Sequence, residues 1–179
     1  MEEIVVDGIG ITDKEEILDY LMDQYGQNIA RLVFSYVKNM AASEELTQEI
    51  FIKAYEKLDS FKGRSSIKTW LWQIAINHCK DYLKSWHVRK VILTEKFFHH
   101  LHTETDNVEN AVLQYATEEI VSRAVLELPL KYREVVFLHY YEELTIREIG
   151  EMTGINQNTI KTRLKKAKEM LKKNLKGRI

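Results

Sequence analysis

Residues 144–175 read LTIREIGEMTGINQNTIKTRLKKAKEMLKKNL, the pattern of a short helix, a tight turn and a longer basic helix. Thr145 and Glu148 have the Thr-x-x-Glu spacing of a capping box, in which each side chain satisfies a free amide of the first turn. Ile146, Ile149 and Met152 then place apolar groups along one face. Gly150 is small, as the inner position of a helix-turn-helix must be if a second helix is to cross closely. Gly154 stands where the chain must leave the helix at positive φ, which glycine tolerates cheaply. Asn156 suits the N-cap of the second helix.

In that second helix Ile160, Leu164, Ala167, Leu171 and Leu175 fall on one stripe. Asn158, Lys161, Thr162, Lys165, Lys166, Lys172 and Lys173 lie opposite or on its flanks. From Asn156 to Ile179 nine Lys or Arg stand against one acid, Glu169. A helix that buries its apolar side and presents polar residues near its start can lie in a DNA major groove, with lysines neutralising phosphates. A solvated lysine face on an ordinary amphipathic helix is the plainer alternative. The coincidence of capping box, small residue, turn glycine and one-sided charge favours DNA binding.

Outward from that stretch, 179 residues suffice for one large domain or two small ones. Hydrophobic residues make up 45% and charged residues 30%, the balance of a globular chain. One proline, seven glycines and few alternating β-branched runs favour an all-α fold. No apolar run approaches the ~20 residues that span a bilayer, and no signal peptide is recognised. The single cysteine, Cys79, excludes an internal disulfide and a multi-cysteine zinc site, which suits a reducing cytoplasm. The net charge of −1 conceals segregation. Residues 1–25 carry eight acids against one lysine, and residues 62–90 carry seven bases against Asp81. Two separate basic stretches suggest two nucleic-acid contacts.

In chain order, Met1–Ile11 is an apolar-acidic leader, either a frayed tail or a short extended arm. Thr12, Asp13 and Glu15 read as another capping box, opening a helix with Ile17, Leu18 and Leu21. A break is expected near Gly26–Asn28, leading to a second helix or a kinked continuation over Ile29–Val37. Ser43 is expected to cap a helix whose inward row is Leu46, Ile50, Ala54 and Leu58. Glu45, Glu49 and Glu56 form an acidic edge on another side, which by itself reads equally well as a solvated face. The turn-rich, cationic FKGRSS then feeds a helix that is apolar almost all round, except for a stripe of Gln73, Asn77, Lys80 and Lys84. Amides can read base edges and lysines can hold a backbone. Trp70, Trp72, Tyr82 and Trp86 surround the stripe, as aromatics do where unstacked bases bind. Core filling is the preferred role for Trp70 and is evenly balanced with base binding for Trp72 and Trp86.

Residues 91–107 lose sustained periodicity and read as a linker between two helical domains. His99, His100 and His102 within it lack a cysteine partner, and a metal site there is not favoured. Asn107 is expected to cap a helix running to Leu128. Pro129 then restarts the chain into LKYREVVFLHYY, with Val135, Val136, Leu138 and Tyr141 packing inward. No paired carboxylates in an apolar setting, Gly-rich phosphate loop or nucleophile–base pairing is legible. Neither an enzyme, a small-molecule substrate nor a cofactor is expected.

Two segments together carry a resemblance: ELTQEIFIKAYEKLDSFKGRSSIKTWLWQIAINHCKDYL and LELPLKYREVVFLHYYEELTIREIGEMTGINQNTIKTRLKKAKEML. In order, spacing and separating linker the chain resembles a bacterial RNA polymerase sigma factor of the extracytoplasmic-function group, in the sigma-70 family. The resemblance implies a leader over 1–11, a region 2 type domain over 12–90, a linker over 91–107 and a region 4 type helix-turn-helix domain over 108–179. It also implies that Glu45, Gln48 and Glu49 bind the clamp-helix coiled coil of core RNA polymerase. Lys62, Arg64, Ser65, Ser66, Gln73, Asn77, Lys80 and Lys84 would capture the melted −10 strand of promoter DNA, where a base is flipped from the stack. Lys161, Thr162, Lys165 and Lys166 would contact the −35 element, with Asn158, Thr159 and Arg163 on phosphate. An anti-sigma factor, often membrane-bound, would cover these surfaces. The protein would be cytoplasmic, nucleoid-associated when active and held at the membrane by that partner when not. Two departures are visible: the leader lies outside the family's core pattern, and Asn156-Gln157-Asn158 stands where relatives commonly have glycine or proline.

Three rival readings stand beside this one. A repressor or activator using only the helix-turn-helix, without core polymerase, leaves the polar stripe and acidic edge without a role. A helical adaptor for protein partners would lack the steep salt dependence of a DNA binder. A DNA-processing enzyme would need an acidic metal-binding cluster that the sequence does not display.

Overall fold

The computed structural model describes residues 4–6, 9–11, 13–94 and 113–176. Seven α-helices make up nearly all of these residues, so the all-α expectation holds apart from a short antiparallel ribbon at the start. There β1 (Ile4–Val6) pairs with β2 (Ile9–Ile11), with Val5 opposite Gly10. Of the two readings left open for the leader, these residues take the extended one.

Helix α1 spans Lys14–Val37 without interruption. Its N-cap is Asp13, one of the three residues expected to form a capping box, and its carboxylate accepts the Glu16 N–H at 3.0 Å. The expected break at Gly26–Asn28 does not occur: Leu21, Ile29, Leu32 and Val33 are all fully buried on one side, and their packing outweighs the helix weakness of a single glycine. Lys38 ends α1 in the left-handed conformation at φ 54°.

Helix α2 (Met40–Lys57) is capped by Asn39, whose side chain accepts the Ala42 N–H at 2.8 Å. Ser43, expected as the cap, instead lies buried inside the helix and donates its hydroxyl to the Ala30 carbonyl at 3.1 Å, tying α2 to α1. Leu46, Ile50, Ala54 and Leu58 face inward as the spacing predicts. A 3-10 turn at Leu58–Ser60 leads to the FKGRSS loop, where Gly63 takes φ 63°. Ser66 opens α3 (Ile67–Thr94) by accepting the Thr69 N–H at 3.1 Å. No glycine or proline interrupts the sequence from there to residue 94, and the helix passes the expected start of the linker at 91.

The second helical unit begins with α4 (Leu113–Glu127), followed by α5 (Leu130–Val136), restarted at Pro129 as expected. A π-helical turn over Phe137–Tyr141 leads to α6 (Ile146–Thr153) and α7 (Gln157–Leu175). Val135, Val136 and Leu138 are buried, whereas Tyr141, expected inward, is 47% exposed and stacks on Phe137 with ring centroids 5.3 Å apart. Asn107, Trp86's side chain and the linker histidines lie outside the described residues.

Each fully buried Leu or Ile contributes about 1.5–3 kcal/mol of transfer free energy. These side chains form one continuous cluster running through both units. Helix α1 packs on α5, and α3 packs on α6, so the two units are closed against each other.

Candidate nucleic-acid and polymerase interfaces

The helix-turn-helix is built as its sequence specifies. Thr145 accepts the Glu148 N–H, and Glu148 in return accepts the Thr145 N–H at 2.8 Å and its hydroxyl at 2.6 Å. These bonds hold the Glu148 carboxyl below the usual carboxylate range. Gly154 ends α6 at φ 71°. A Cβ added at Gly150 would meet the Ile155 carbonyl oxygen at 3.2 Å, so the turn crosses closely over the first helix. Asn156 caps α7 by accepting the Asn158 N–H at 2.9 Å.

Ile160, Leu164 and Ala167 are buried under α7, with Leu171 and Leu175 half-buried further along. Asn158, Thr159, Lys161, Thr162, Lys165 and Lys166 are all exposed on its outer side. The Thr162 hydroxyl donates to the Asn158 carbonyl at 2.9 Å, and its oxygen still faces solvent as an acceptor. Lys166 reaches Glu169 at 3.3 Å. Arg163 differs from its neighbours: it is half-buried and turned inward, 3.7 Å from the Glu134 carboxylate.

In the first unit Lys62 and Arg64 project from the loop, Ser65 is half-buried, and the Ser66 hydroxyl serves the start of α3. Along α3, Asn77 and Lys84 are exposed, Lys84 meeting Asp81 at 3.2 Å. The other two members of the stripe are occupied. Gln73 donates its amide to the Glu151 carbonyl of α6 at 2.9 Å, and Lys80 sits 2.8 Å from Glu134 of α5. Trp72 is fully buried, edge-on to Tyr25 at 5.3 Å, and its indole N–H is unpartnered. It fills core and is not available to a base. Trp70, for which core filling was preferred, is only half-buried, with Phe61 at 5.3 Å beside the cationic loop.

On α2, Glu45 and Gln48 are exposed. Glu49 is partly covered: its carboxylate lies 2.6 Å from His78 Nε2, whose Nδ1 meets Lys53 at 2.7 Å. Beside this edge an apolar groove of about 690 Å³ runs between α1–α2 and α4–α5, with Gln48, Phe34, Leu126 and Phe137 in its walls.

Sequence reasoning missed the polar seam that closes the two units. Glu134, 4% exposed, accepts the Tyr36 hydroxyl at 2.7 Å as well as facing Lys80 and Arg163. Burial and the adjacent carboxylate raise the Tyr36 hydroxyl well above its ordinary pKa, so it remains a donor. Arg133 donates Nε to the Ser35 carbonyl and Nη2 to that of Tyr36 at 3.3 Å, serving carbonyls that the end of α1 leaves free. Its Nη1 also binds the Leu126 and Leu128 carbonyls at 2.8 and 2.9 Å. Asn28 donates to both oxygens of Glu142 at 3.2 Å. The available signal was Arg133-Glu134 placed directly before the apolar run Val135–Leu138: charges at core-facing positions are retained where they are paired. Among the described residues no group of three or more His, Cys, Asp or Glu could hold a metal, and no helix is long and apolar enough to cross a membrane.

Two family models match the chain: Sigma-70 region 2 over residues 21–87 and Sigma-70 region 4 over residues 118–171. The chain is 33% identical over 170 residues to the ECF RNA polymerase sigma factor SigW of Bacillus subtilis, covering 91% of this chain and 90% of that one. It is 30% identical over 177 residues to the ECF RNA polymerase sigma-E factor of Escherichia coli K12, covering 95% and 92%. In fold it is similar to the sigma factor RpoE of Bartonella quintana, solved in complex with the anti-sigma factor NepR. The TM-score there is 0.67 at 21% identity, over 93% of this chain and 98% of that one. It is also similar to CnrH, solved with the cytosolic domain of CnrY, at a TM-score of 0.64 and 17% identity over 91% and 90%. The chain belongs to the extracytoplasmic-function sigma factors of the sigma-70 family.

Proposed function

We propose that this protein is an alternative sigma factor that binds core RNA polymerase and directs promoter-specific transcription initiation. It has no catalytic activity of its own. The observation that carries the reading is the presence of both sigma regions in one chain, in order, over residues 21–87 and 118–171. A regulator built on the helix-turn-helix alone has no use for the first.

The division of labour is the one that the two sigma regions imply. Charge and exposure support it for the loop, the acidic edge and the outer side of α7, while Gln73, Lys80 and Arg163 are engaged within the protein. Residues 12–90 form the domain for polymerase and the −10 element, and 108–179 the domain for the −35 element, with 91–107 linking them. The outer side of α7 enters the major groove, where Lys161, Thr162, Lys165 and Lys166 meet base edges and phosphates while Asn158, Thr159 and Arg163 hold the backbone. Lys62, Arg64, Ser65 and Ser66 with Gln73, Asn77, Lys80 and Lys84 hold the melted −10 strand. Glu45, Gln48 and Glu49 supply an acidic face for a basic coiled coil of the polymerase clamp. An anti-sigma factor regulates the protein, a reading supported by the likeness to Bartonella quintana RpoE, a sigma factor seen bound to the anti-sigma factor NepR. Membrane anchorage of such a factor would hold the protein at the membrane until release to the nucleoid.

The test is a pull-down of purified protein with core RNA polymerase, followed by transcription from a genomic fragment library. Binding, with new start sites that share two spaced elements, is expected. Failure to bind, with duplex DNA still gripped in a salt-sensitive way, would overturn the reading in favour of a plain helix-turn-helix regulator.

A further inference from the structure

Residues assigned above to two different DNA elements meet at one carboxylate. Glu134 on α5 receives Lys80 of the −10 stripe at 2.8 Å, and Arg163 of the recognition helix lies 3.7 Å away. The Tyr36 hydroxyl completes its shell at 2.7 Å from the far end of α1. Seven residues along the stripe from Lys80, Gln73 is held by the Glu151 carbonyl at 2.9 Å. Two of the four stripe residues are thus spent on α5 and α6, and those helices lie where a DNA strand on the stripe would have to pass.

From this arrangement we propose that Glu134 is an autoinhibitory latch, which keeps the free protein closed by occupying Lys80 with a protein carboxylate in place of a promoter phosphate. The proposal rests on the sigma factor reading of the stripe. Chemically, the carboxylate imitates a phosphate: it is an anion that pairs with Lys80 and Arg163 and accepts from a hydroxyl. A phosphate backbone offers Lys80 a replacement, so DNA and closure compete. The ion pair adds little net stability to closure, because a buried ion pair roughly breaks even against hydration of its separated members. It works beside the apolar side chains of both units that meet in one cluster. On opening, Glu134 and Lys80 regain water and Lys80 becomes available to DNA, whereas Arg163, on α7 of the same unit as Glu134, stays beside it.

The test uses the full-length protein, without polymerase, as wild type, Glu134→Gln and Tyr36→Phe. Glu134→Gln keeps the volume and removes the charge. Tyr36→Phe removes only the hydroxyl from the latch, touches no residue assigned to DNA, and covers the case in which the first variant folds poorly. Small-angle scattering reads the radius of gyration, and anisotropy reads binding of a fluorescein-labelled single-stranded DNA of mixed sequence. Both variants are expected to be more expanded than wild type. They should also bind the strand more tightly, by about 5- to 150-fold for the first, the range that coupling between two sites typically supplies. Adding Lys80→Ala to Tyr36→Phe should remove most of that gain. Folded variants as compact as wild type, or expanded variants that bind the strand no better, would overturn the latch. Promoter-specific transcription by wild type with core polymerase separates that failure from failure of the sigma factor reading.

Discussion

Gly154 adopts φ 71° at the end of α6, where a side chain would meet its own backbone, although no other atom lies near enough to obstruct a Cβ. The strain of substitution is therefore purely conformational. Gly154→Ala should destabilise the protein by about 1–2 kcal/mol, the penalty of placing a Cβ in the left-handed region, read as a lower midpoint in chemical denaturation. An unchanged midpoint would mean that the turn relaxes to another conformation. Cys79 presents the opposite case, a side chain with no freedom. It is fully buried, and burial pushes its thiol pKa up to about 12. The thiolate is the reactive form and is scarce at pH 8, so a disulfide reagent should label the native protein slowly and the denatured protein at once. Rapid labelling of the native state would place Cys79 at the surface. Both features were legible in the sequence: a glycine after a short amphipathic helix, and a lone cysteine on the apolar side of a helix. The partners of Glu134 were not legible: its place directly before the apolar run Val135–Leu138 hints at burial, but Tyr36 and Lys80 lie far away in sequence.

Among the elements, α6 and α7 are the most completely specified by nearby residues. The capping box links side chains only three positions apart, and the apolar stripe of α7 repeats along a single helix. Because the Glu148 pKa is lowered in the folded state, its contribution is present at neutral pH and is lost as pH falls through the folded value. Glu148→Ala should then destabilise the protein by about 1 kcal/mol at pH 7, with the difference shrinking below the carboxylate range. A difference constant from pH 7 to pH 3 would remove the capping role. On α7, Lys165 is exposed and is proposed to face the groove. Lys165→Ala should lower the slope of log affinity against log salt for duplex promoter DNA by about 1 and reduce transcription from promoters that need a −35 element. An unaltered slope would move Lys165 off the phosphates. Elsewhere the helices formed where periodicity indicated, but their starts shifted. Asn39 outcompeted Ser43 as a cap because Ser43 found a buried carbonyl on α1. Helix α1 ran through Gly26 because burial on both sides of that residue held it straight.

At the scale of the whole molecule, the two helical units are closed on each other through polar bonds and a shared apolar cluster, with the edge proposed to meet polymerase left outside. Glu45 and Gln48 remain exposed while Gln73 and Lys80 are covered. Closure therefore covers part of the polar stripe on α3 and leaves both the acidic edge of α2 and the outer side of α7 open. Glu49→Lys should weaken binding to core polymerase while binding of duplex DNA by the C-terminal helix-turn-helix persists. Normal polymerase affinity would exclude this edge from the interface.

What the sequence by itself determined is whatever depends on neighbours within a few turns: the helical class, the turn at Gly154, the inward stripes, the segregation of charge, and the family through two motifs in order. Only the tertiary structure decided which charged residues are solvated and which are spent. Tyr36 and Glu134 are 98 residues apart in sequence, Gln73 and Glu151 are 78 apart, and Asn28 and Glu142 are 114 apart. No periodicity spans such distances. A lysine on a helix face reads the same whether it meets water, phosphate or a buried carboxylate, and only the packing of α5 and α6 on α1 and α3 chooses among them.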